Sequence, residues 1–408
     1  MATNFYIIVI SFLYAINLTR AACRLSTRWD ITDPQVLILR PEGGDGNDAF
    51  FMPDERVFIN IPSGRVVNFN CGGAYLQLDG VNTGDGSINA TCSSGRFFRI
   101  PNRSFNFNTV SCNLFPPSLA RFTGNTCLGD LKEFEIGYRA NCRMIRLMYG
   151  CFDQYYQRTI YTRMELPPNI EGAQIGFPRP RWTEGDFFNL GGIPLDTIYT
   201  RNEQRITINT LLGLDVNSTK YVQLDNNLFL ARAHLSANAD FIFGTQRRAS
   251  FYFLNAAPKW HTFNAGNWLS IEMDIRRFVI KTKQTVQMYT GTFGISTLPH
   301  EITGEQIELF LFVDDKGNKA IPVPQLFWKV IYEPITRRGS VFLGVNNPYL
   351  SEDEVHKHII CPDVSNEIPW LTWAATNITG GISYTCTVEG FRAATGLLQH
   401  LEVVDLLT

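Results

Sequence analysis

The chain has 408 residues, of which 45% are hydrophobic, 13% aromatic and 18% charged. This composition supplies enough apolar surface for folding, and the net charge of −2 excludes a polycation that coats nucleic acid indiscriminately. The 30 Phe, 15 Tyr, 32 Gly and 20 Pro residues favour many short strands and turns over long helices. An anionic ligand must therefore be selected by a local patch.

The N-terminus carries a targeting pattern. Residues 5–16 form an apolar run that is short for a membrane span, and the small residues Ala21 and Ala22 follow it. We predict a cleaved signal peptide over residues 1–22 and a secreted, extracellular protein without membrane contact; an uncleaved anchor is the alternative. Four sequons fit a glycosylated secretory protein: Asn89, Asn102, Asn217 and Asn377.

Nine cysteines also indicate a secreted protein. None forms a CxxC motif, so disulfides are the plain interpretation in a secreted chain. Six of them lie between Cys71 and Cys151, which predicts a stapled segment. Cys361 and Cys386 are a plausible pair. Because nine is odd, one thiol remains, and we expect it to be Cys23 at the mature N-terminus.

The chain divides into two predicted domains. Residues 23–165 are cysteine-rich and strand-like, and the prolines from Pro167 to Pro180 mark a boundary before a domain of residues 166–408. In this second domain, the aromatic run 251–254 predicts a buried strand. Apolar residues at helical spacing predict an amphipathic helix over 264–278. The run 309–313 with the turn 314–317 predicts a hairpin arm.

Polar residues of an unusual kind converge in the second domain. Arg232 and His234 are two apart, so they share one face of a strand. Asn255 ends the aromatic strand, and Asn264 and Glu272 project from roughly the same side of the predicted helix. This set suits an imidazole base, oxygen ligands for a hard cation, and an arginine for an anion.

The segment around these residues resembles the DNA/RNA non-specific endonucleases with the ββα-metal motif, in particular the secreted insect gut and salivary members often called dsRNases. The resemblance covers residues 230–278 closely and about 185–400 more loosely, including Trp328-Lys329 and the run 344–348. The spacings of 21, 9 and 8 residues from His234 to the two asparagines and Glu272 agree with the family's. The resemblance implies an α+β fold: a ββα-metal nuclease domain with a mixed or antiparallel sheet, after a disulfide-rich, mostly β N-terminal domain.

The resemblance also implies roles for these residues in the hydrolysis of DNA and RNA, single- or double-stranded. His234 matches the general base, and Asn264 the ligand of a Mg²⁺ ion, with Mn²⁺ as an alternative. Glu272 matches the acid that orients the metal's waters. Asn255 matches the amide that positions the histidine or the phosphate, and Arg232 the arginine near the scissile phosphate. A second phosphate arginine has only weak candidates, Arg201 and Arg205.

One residue departs from the family's Asp-Arg-Gly-His signature in a way that matters: Ala233 replaces the glycine. A Cβ there either strains a backbone of positive φ or crowds the phosphate, so we expect reduced turnover. Two functions follow. The first is a metal-dependent endonuclease. The alternative is a nucleic-acid-binding protein on the same scaffold with residual or no catalysis.

A basic patch surrounds the predicted site. Residues 247–283 hold seven basic and two acidic side chains, a net charge of +5 in a chain of −2. Such a concentration is expected where a phosphate backbone binds, although paired arginines on a helix are often merely solvated. The predicted contacts are Arg247, Arg248, Lys259, Arg276 and Arg277.

Overall fold

The computed structural model describes residues 22–54 and 56–408. The predicted signal peptide, apart from Ala22, lies outside the described residues. Within the described chain, no helix combines the length and the apolar character needed to cross a membrane.

The N-terminal part is built from short antiparallel strands. Five of them form one sheet in the order β2-β4-β7-β8-β9. Its inner face carries an aromatic cluster in which Phe69 packs edge-on against Phe98, with ring centroids 5.1 Å apart. The strands are β1 (Cys23–Ser26), β2 (Leu37–Leu39), β3 (Phe58–Ile61), β4 (Val66–Asn70), β5 (Leu76–Leu78), β6 (Val81–Asn82), β7 (Ser87–Ser94), β8 (Phe97–Ile100), β9 (Arg103–Asn106) and β10 (Val110–Cys112).

The remaining elements are mostly strands, with few helices. The strands are β11 (Ser118–Thr126), β12 (Lys132–Ala140), β13 (Arg143–Asp153), β14 (Arg158–Leu166), β15 (Leu230–His234), β16 (Ala256–Trp260), β17 (Val286–Phe293), β18 (Thr297–Pro299), β19 (Gln306–Glu308), β20 (Phe310–Val313), β21 (Lys319–Pro322), β22 (Leu326–Glu333), β23 (Arg338–Val345) and β24 (Ser383–Cys386). The α-helices are α1 (Leu195–Ile198), α2 (Arg201–Leu212), α3 (Gly244–Ala249), α4 (His261–Asn264), α5 (Asn267–Thr282) and α6 (Val388–Thr395).

An eight-stranded antiparallel sheet forms the centre of the molecule, in the order β11-β12-β13-β14-β17-β22-β23-β24. β14 pairs with β17 from Tyr161 opposite Gly291 to Leu166 opposite Val286. The predicted domain boundary at residues 165 and 166 therefore falls within a continuous sheet, which takes four strands from each side of it. The architecture is α+β with mostly antiparallel strands, as predicted.

Four disulfides staple the fold. They join Cys23 to Cys92, Cys71 to Cys112, Cys127 to Cys151 and Cys361 to Cys386. The predicted pair Cys361–Cys386 is confirmed. The prediction that Cys23 is the leftover thiol is wrong, because β1 pairs with β3 and brings Cys23 into the core beside Cys92. The free cysteine is the exposed Cys142.

Candidate active site

A two-stranded ribbon followed by a long helix carries the site. β15 and β16 pair antiparallel, with Arg232 opposite Pro258 and His234 opposite Ala256, and the chain then enters α4 and α5. Because side chains alternate along a strand, Arg232 and His234 lie on one face and Ala233 on the other. The predicted shared face of Arg232 and His234 is therefore confirmed.

Ala233 gives no reason for reduced turnover. It lies in regular extended strand opposite Ala257, and its φ is outside the left-handed region. Its methyl group is 1% exposed and points away from the face that carries His234. Both physical grounds for the expected reduction, positive φ and crowding of the phosphate, are thus wrong for this residue.

The imidazole of His234 is enclosed by aromatic rings. The ring centroid of Trp182 lies 4.6 Å from that of His234, and Phe251 packs edge-on at 4.7 Å. Nε2 of His234 is shielded from solvent and has no hydrogen-bond partner within the described chain. Burial lowers the pKa of His234 to about 3, and the charges of Arg179 and Lys259 act in the same direction. His234 is therefore neutral at physiological pH, as a general base must be, but a pKa this low makes it a weak base in this conformation.

Asn255 acts on the histidine through the backbone. Its amide oxygen accepts a hydrogen bond from the Ser236 N–H at 2.9 Å, and its amide nitrogen donates to the carbonyls of Ser236 and Ser250. The amide thus fixes the chain two residues after His234, and its hydrogen bonds within the described chain all go to the backbone. The predicted strand 251–254 is wrong, since Phe253–Asn255 is a 3-10 turn before β16.

Asn264 is placed differently from the prediction. It ends α4, and the long helix α5 begins at Asn267, so Asn264 and Glu272 are not on one continuous helix. The Asn267 amide is fully occupied by the backbone of residues 374 and 381. The side-chain amide of Asn264, which is half-buried, makes no hydrogen bond within the described chain, so its oxygen is available to a ligand.

Glu272 lies in a buried group of charges. Burial raises its pKa, whereas Lys329, Lys259 and Arg276 oppose the rise and Asp240 adds to it. Lys259 affects the pKa of both His234 and Glu272, so it lies near both predicted catalytic groups, and burial holds its own pKa well below the ordinary value. No group of three or more His, Cys, Asp or Glu side chains suited to a metal occurs in the described chain. The available oxygen of Asn264 suits a hard cation that keeps most of its waters.

Two buried lysines, Lys259 and Lys329, lie next to the buried charges around Glu272. Lys259 is fully buried, with its Nζ 4.1 Å from the ring centroid of Trp268 and 4.0 Å from that of Phe327. The prediction that Lys259 binds nucleic acid is therefore wrong, because its side chain faces the core. Lys329 is equally buried and donates to Thr290 Oγ1 at 2.6 Å. Sequence reasoning assigned Lys329 no role, since a lysine within an apolar run carries no sign of which partners it meets.

Arg247 and Arg248 hold the segment 174–183 next to the site by hydrogen bonds to its backbone. Arg247 donates to the carbonyl of Gln174 at 2.6 Å, and Arg248 donates to that of Pro178. At its other end, Thr183 pairs with the backbone of Phe251 and Phe253. Both arginines were predicted to bind nucleic acid, and here their guanidinium groups bind backbone carbonyls instead.

The segment 174–183 brings residues to the site that sequence reasoning missed. Trp182 covers His234, and Arg179 is exposed and within electrostatic reach of the imidazole. Arg181 is exposed on the same segment. The alternation of Arg with Pro over residues 178–181 is the signal that could have pointed to them.

The other predicted arginines differ in availability. Arg232 pairs with Asp196 at 2.6 Å and is about one-third exposed. Arg276 pairs with the buried Asp240 at 2.6 Å and is 16% exposed. Arg277 pairs with Asp274 but is 58% exposed, so it remains open to a ligand. Arg201 donates to the carbonyl of Leu224 and stacks over Phe229, so it is already engaged.

A ββα unit that presents a neutral histidine beside an arginine defines a nuclease-like class of fold and site. Residues 134–391 match the pattern of the DNA/RNA non-specific endonuclease family, and the chain belongs to that family.

Similar proteins occur in insect saliva. The chain is 23% identical over 395 residues to a salivary endonuclease of Lutzomyia longipalpis, covering 95% of this chain and 87% of the relative. It is 22% identical over 366 residues to the salivary protein Tsal1 of Glossina morsitans morsitans, covering 85% and 86%. A chain in the crystal structure of the EndoG/EndoGI complex aligns at a TM-score of 0.35 and 15% identity, covering 64% of this chain and 87% of that one.

Proposed function

We propose that this protein is a secreted, Mg²⁺-dependent endonuclease that hydrolyses phosphodiester bonds in both DNA and RNA, double-stranded RNA included. The observation that carries the proposal is the neutral imidazole of His234 on the same strand face as Arg232. Membership of the endonuclease family supports the reaction class.

Each residue of the site has a separate role in the proposed hydrolysis. Neutral His234 accepts the proton of the attacking water. Arg232, which now pairs with Asp196, exchanges this partner for the scissile phosphate. The amide oxygen of Asn264 and, through water, the carboxylate of Glu272 would hold the divalent cation. That cation, with Mn²⁺ as an alternative to Mg²⁺, supplies stabilisation of the charge on the leaving oxygen.

Several features support secretion. Eight of the nine cysteines form disulfides, which persist in oxidising compartments. The four sequon asparagines are all exposed, as glycosylation requires. The salivary relatives point to the same compartment.

The test is cleavage of plasmid DNA and double-stranded RNA by the secreted protein with Mg²⁺ or with EDTA. We expect EDTA-sensitive cleavage, and a loss of about 10²- to 10⁴-fold for His234→Ala, since a general base contributes that much. Asn264→Ala should raise the Mg²⁺ concentration needed for half-maximal rate. Thr379→Ala, which removes a sequon on the surface, is a control that should leave the rate unchanged.

One observation favours the second candidate, a nucleic-acid-binding protein with little catalysis. Nε2 of His234 is enclosed by Trp182 and Phe251, so water does not reach it in this conformation. If the wild-type protein retards nucleic acid in a gel but shows no EDTA-sensitive cleavage, the second candidate replaces the first.

A further inference from the structure

The N-terminal part contains an open cavity of about 710 Å³ that the proposed nuclease site does not use. Three arginines and an exposed tryptophan line it, together with Val57, Phe58 and Glu171: Arg24, Arg28, Arg56 and Trp29. We propose that this N-terminal cavity is a second nucleic-acid-binding site, which takes an unpaired base and its flanking phosphates. The inference rests on the proposed function for its ligand class, but not on catalysis.

Trp29 is the first observation that carries the inference. It is 70% exposed, which no other tryptophan of the described chain approaches. A single exposed apolar residue is ordinary on a protein surface, but this ring lies in a cavity lined by three arginines, which is the arrangement that base stacking uses. The backbone beside Trp29 is held because the neighbouring Asp30, which is buried, accepts a hydrogen bond from the Ser26 N–H at 2.7 Å and pairs with Arg96.

The charge of the cavity selects the ligand. The guanidinium of Arg24 lies 3.7 Å above the ring centroid of Phe58, and Arg28 and Arg56 are exposed beside it. Glu171 is the acidic residue that lines the cavity among residues 22–54 and 56–408, and it pairs with Lys283 at 3.2 Å. An aromatic ring among arginines matches a single strand, because bases stack on the ring while phosphates meet the positive charges.

The cavity is built by contacts across the sequence. The hydroxyl of buried Thr27 lies 2.8 Å from the Gly172 carbonyl and 3.2 Å from that of Val57, so one side chain links the three loops that line the cavity. Gly172 fits because any Cβ there would clash with the carbonyl oxygen of Arg56. The loops therefore hold a fixed arrangement.

Helix α5 connects the cavity with the candidate active site. Glu272 lies in its first half, and Lys283, at its end, reaches Glu171 on the edge of the cavity. From Glu272 to Lys283 the helix rises by about 16 Å, over eleven steps of about 1.5 Å. This distance corresponds to about five nucleotides of a strand at 3.4 Å each. A long strand can thus occupy both sites, whereas a very short one cannot.

The test measures binding of a labelled 30-nucleotide single strand in EDTA, so that no cleavage occurs. We expect Trp29→Ala to weaken binding about fivefold or more, as loss of one base–aromatic stack does. Arg28→Gln with Arg56→Gln should lower the salt dependence by about 0.7 per lost contact on a single strand. Tyr155→Ala, at an aromatic residue that is 80% exposed, and Arg99→Gln are matched controls that should bind like wild type.

Cleavage assays separate this inference from the proposed function. With Mg²⁺, Trp29→Ala should raise the KM for long single strands and leave cleavage of tetranucleotides unchanged. If the wild type cleaves but Trp29→Ala binds the 30-mer like wild type, the second site is overturned while the endonuclease stands. If the wild type binds without cleaving and Trp29→Ala still weakens binding, the second site stands and the endonuclease fails. Binding of wild type and Trp29→Ala to anionic lipid vesicles is measured in parallel. If Trp29→Ala weakens binding to the vesicles but not to the 30-mer, the second site is overturned in favour of a membrane surface.

Discussion

The indole ring of Trp182 lies 4.6 Å from the imidazole ring of His234 and shields it from solvent. The tryptophan is held by a segment whose ends are fastened separately, by Arg247 and Arg248 on one side and by Thr183 on the other. Access to the histidine is therefore governed by a segment that lies outside the ββα unit.

Trp182→Ala should expose His234. With less desolvation, the pKa of His234 should rise from about 3 towards its ordinary value, which can be followed by NMR titration of the ring proton. Cleavage of short substrates should become faster, because water then reaches Nε2. Ile175→Ala, an exposed residue on the same segment, is the control. An unchanged His234 pKa would show that Trp182 is not the shield.

Stability should fall at acid pH because of His234. Its folded pKa is lowered to about 3, so between about pH 6.5 and 3 the unfolded chain binds a proton that the folded chain does not. Wild type should lose about 2 kcal/mol more of its unfolding free energy than His234→Asn between pH 7 and pH 5. Urea unfolding at both pH values measures the difference. His356→Asn, at an exposed histidine, should follow the wild type.

Ala233→Gly should not increase the cleavage rate. The Ala233 methyl is buried on the strand face opposite His234, so its removal opens no space for a phosphate. Glycine in a strand interior is less stable than alanine by roughly 0.5–1 kcal/mol, so the variant should unfold at a slightly lower temperature. A severalfold gain in kcat would contradict this assignment.

Two neighbouring arginines should behave oppositely. Arg276→Met leaves the buried carboxylate of Asp240 without its partner, which should cost about 3–5 kcal/mol of unfolding free energy. Arg277 is largely exposed, and the buried carboxylate of its partner Asp274 keeps hydrogen bonds from the backbone N–H and the hydroxyl of Thr372, so Arg277→Ala should change stability by about 1 kcal/mol or less. Instead, it should weaken nucleic-acid binding and reduce its salt dependence. Urea unfolding and binding titrations at several salt concentrations separate the two effects.

The local part of the site was predictable from the sequence. Strand alternation placed Arg232 and His234 on one face, and the period of apolar residues indicated the helix that carries Glu272. Both features depend on residues close in the chain. By contrast, the burial of Lys259, the cover by Trp182 and the break between Asn264 and α5 result from packing of distant segments, which periodicity does not report. The expected effect of Ala233 was wrong because the Asp-Arg-Gly-His signature does not reveal the φ angle at this residue or the direction of its side chain.

Because β14 pairs with β17, the parts of the chain before and after residue 166 share one sheet and should unfold together. A fragment that starts at residue 166 would lose four adjacent strands of the central sheet and expose the inner edge of β17. Such an edge templates aggregation. We therefore expect the whole protein to melt in a single transition, with no surviving half.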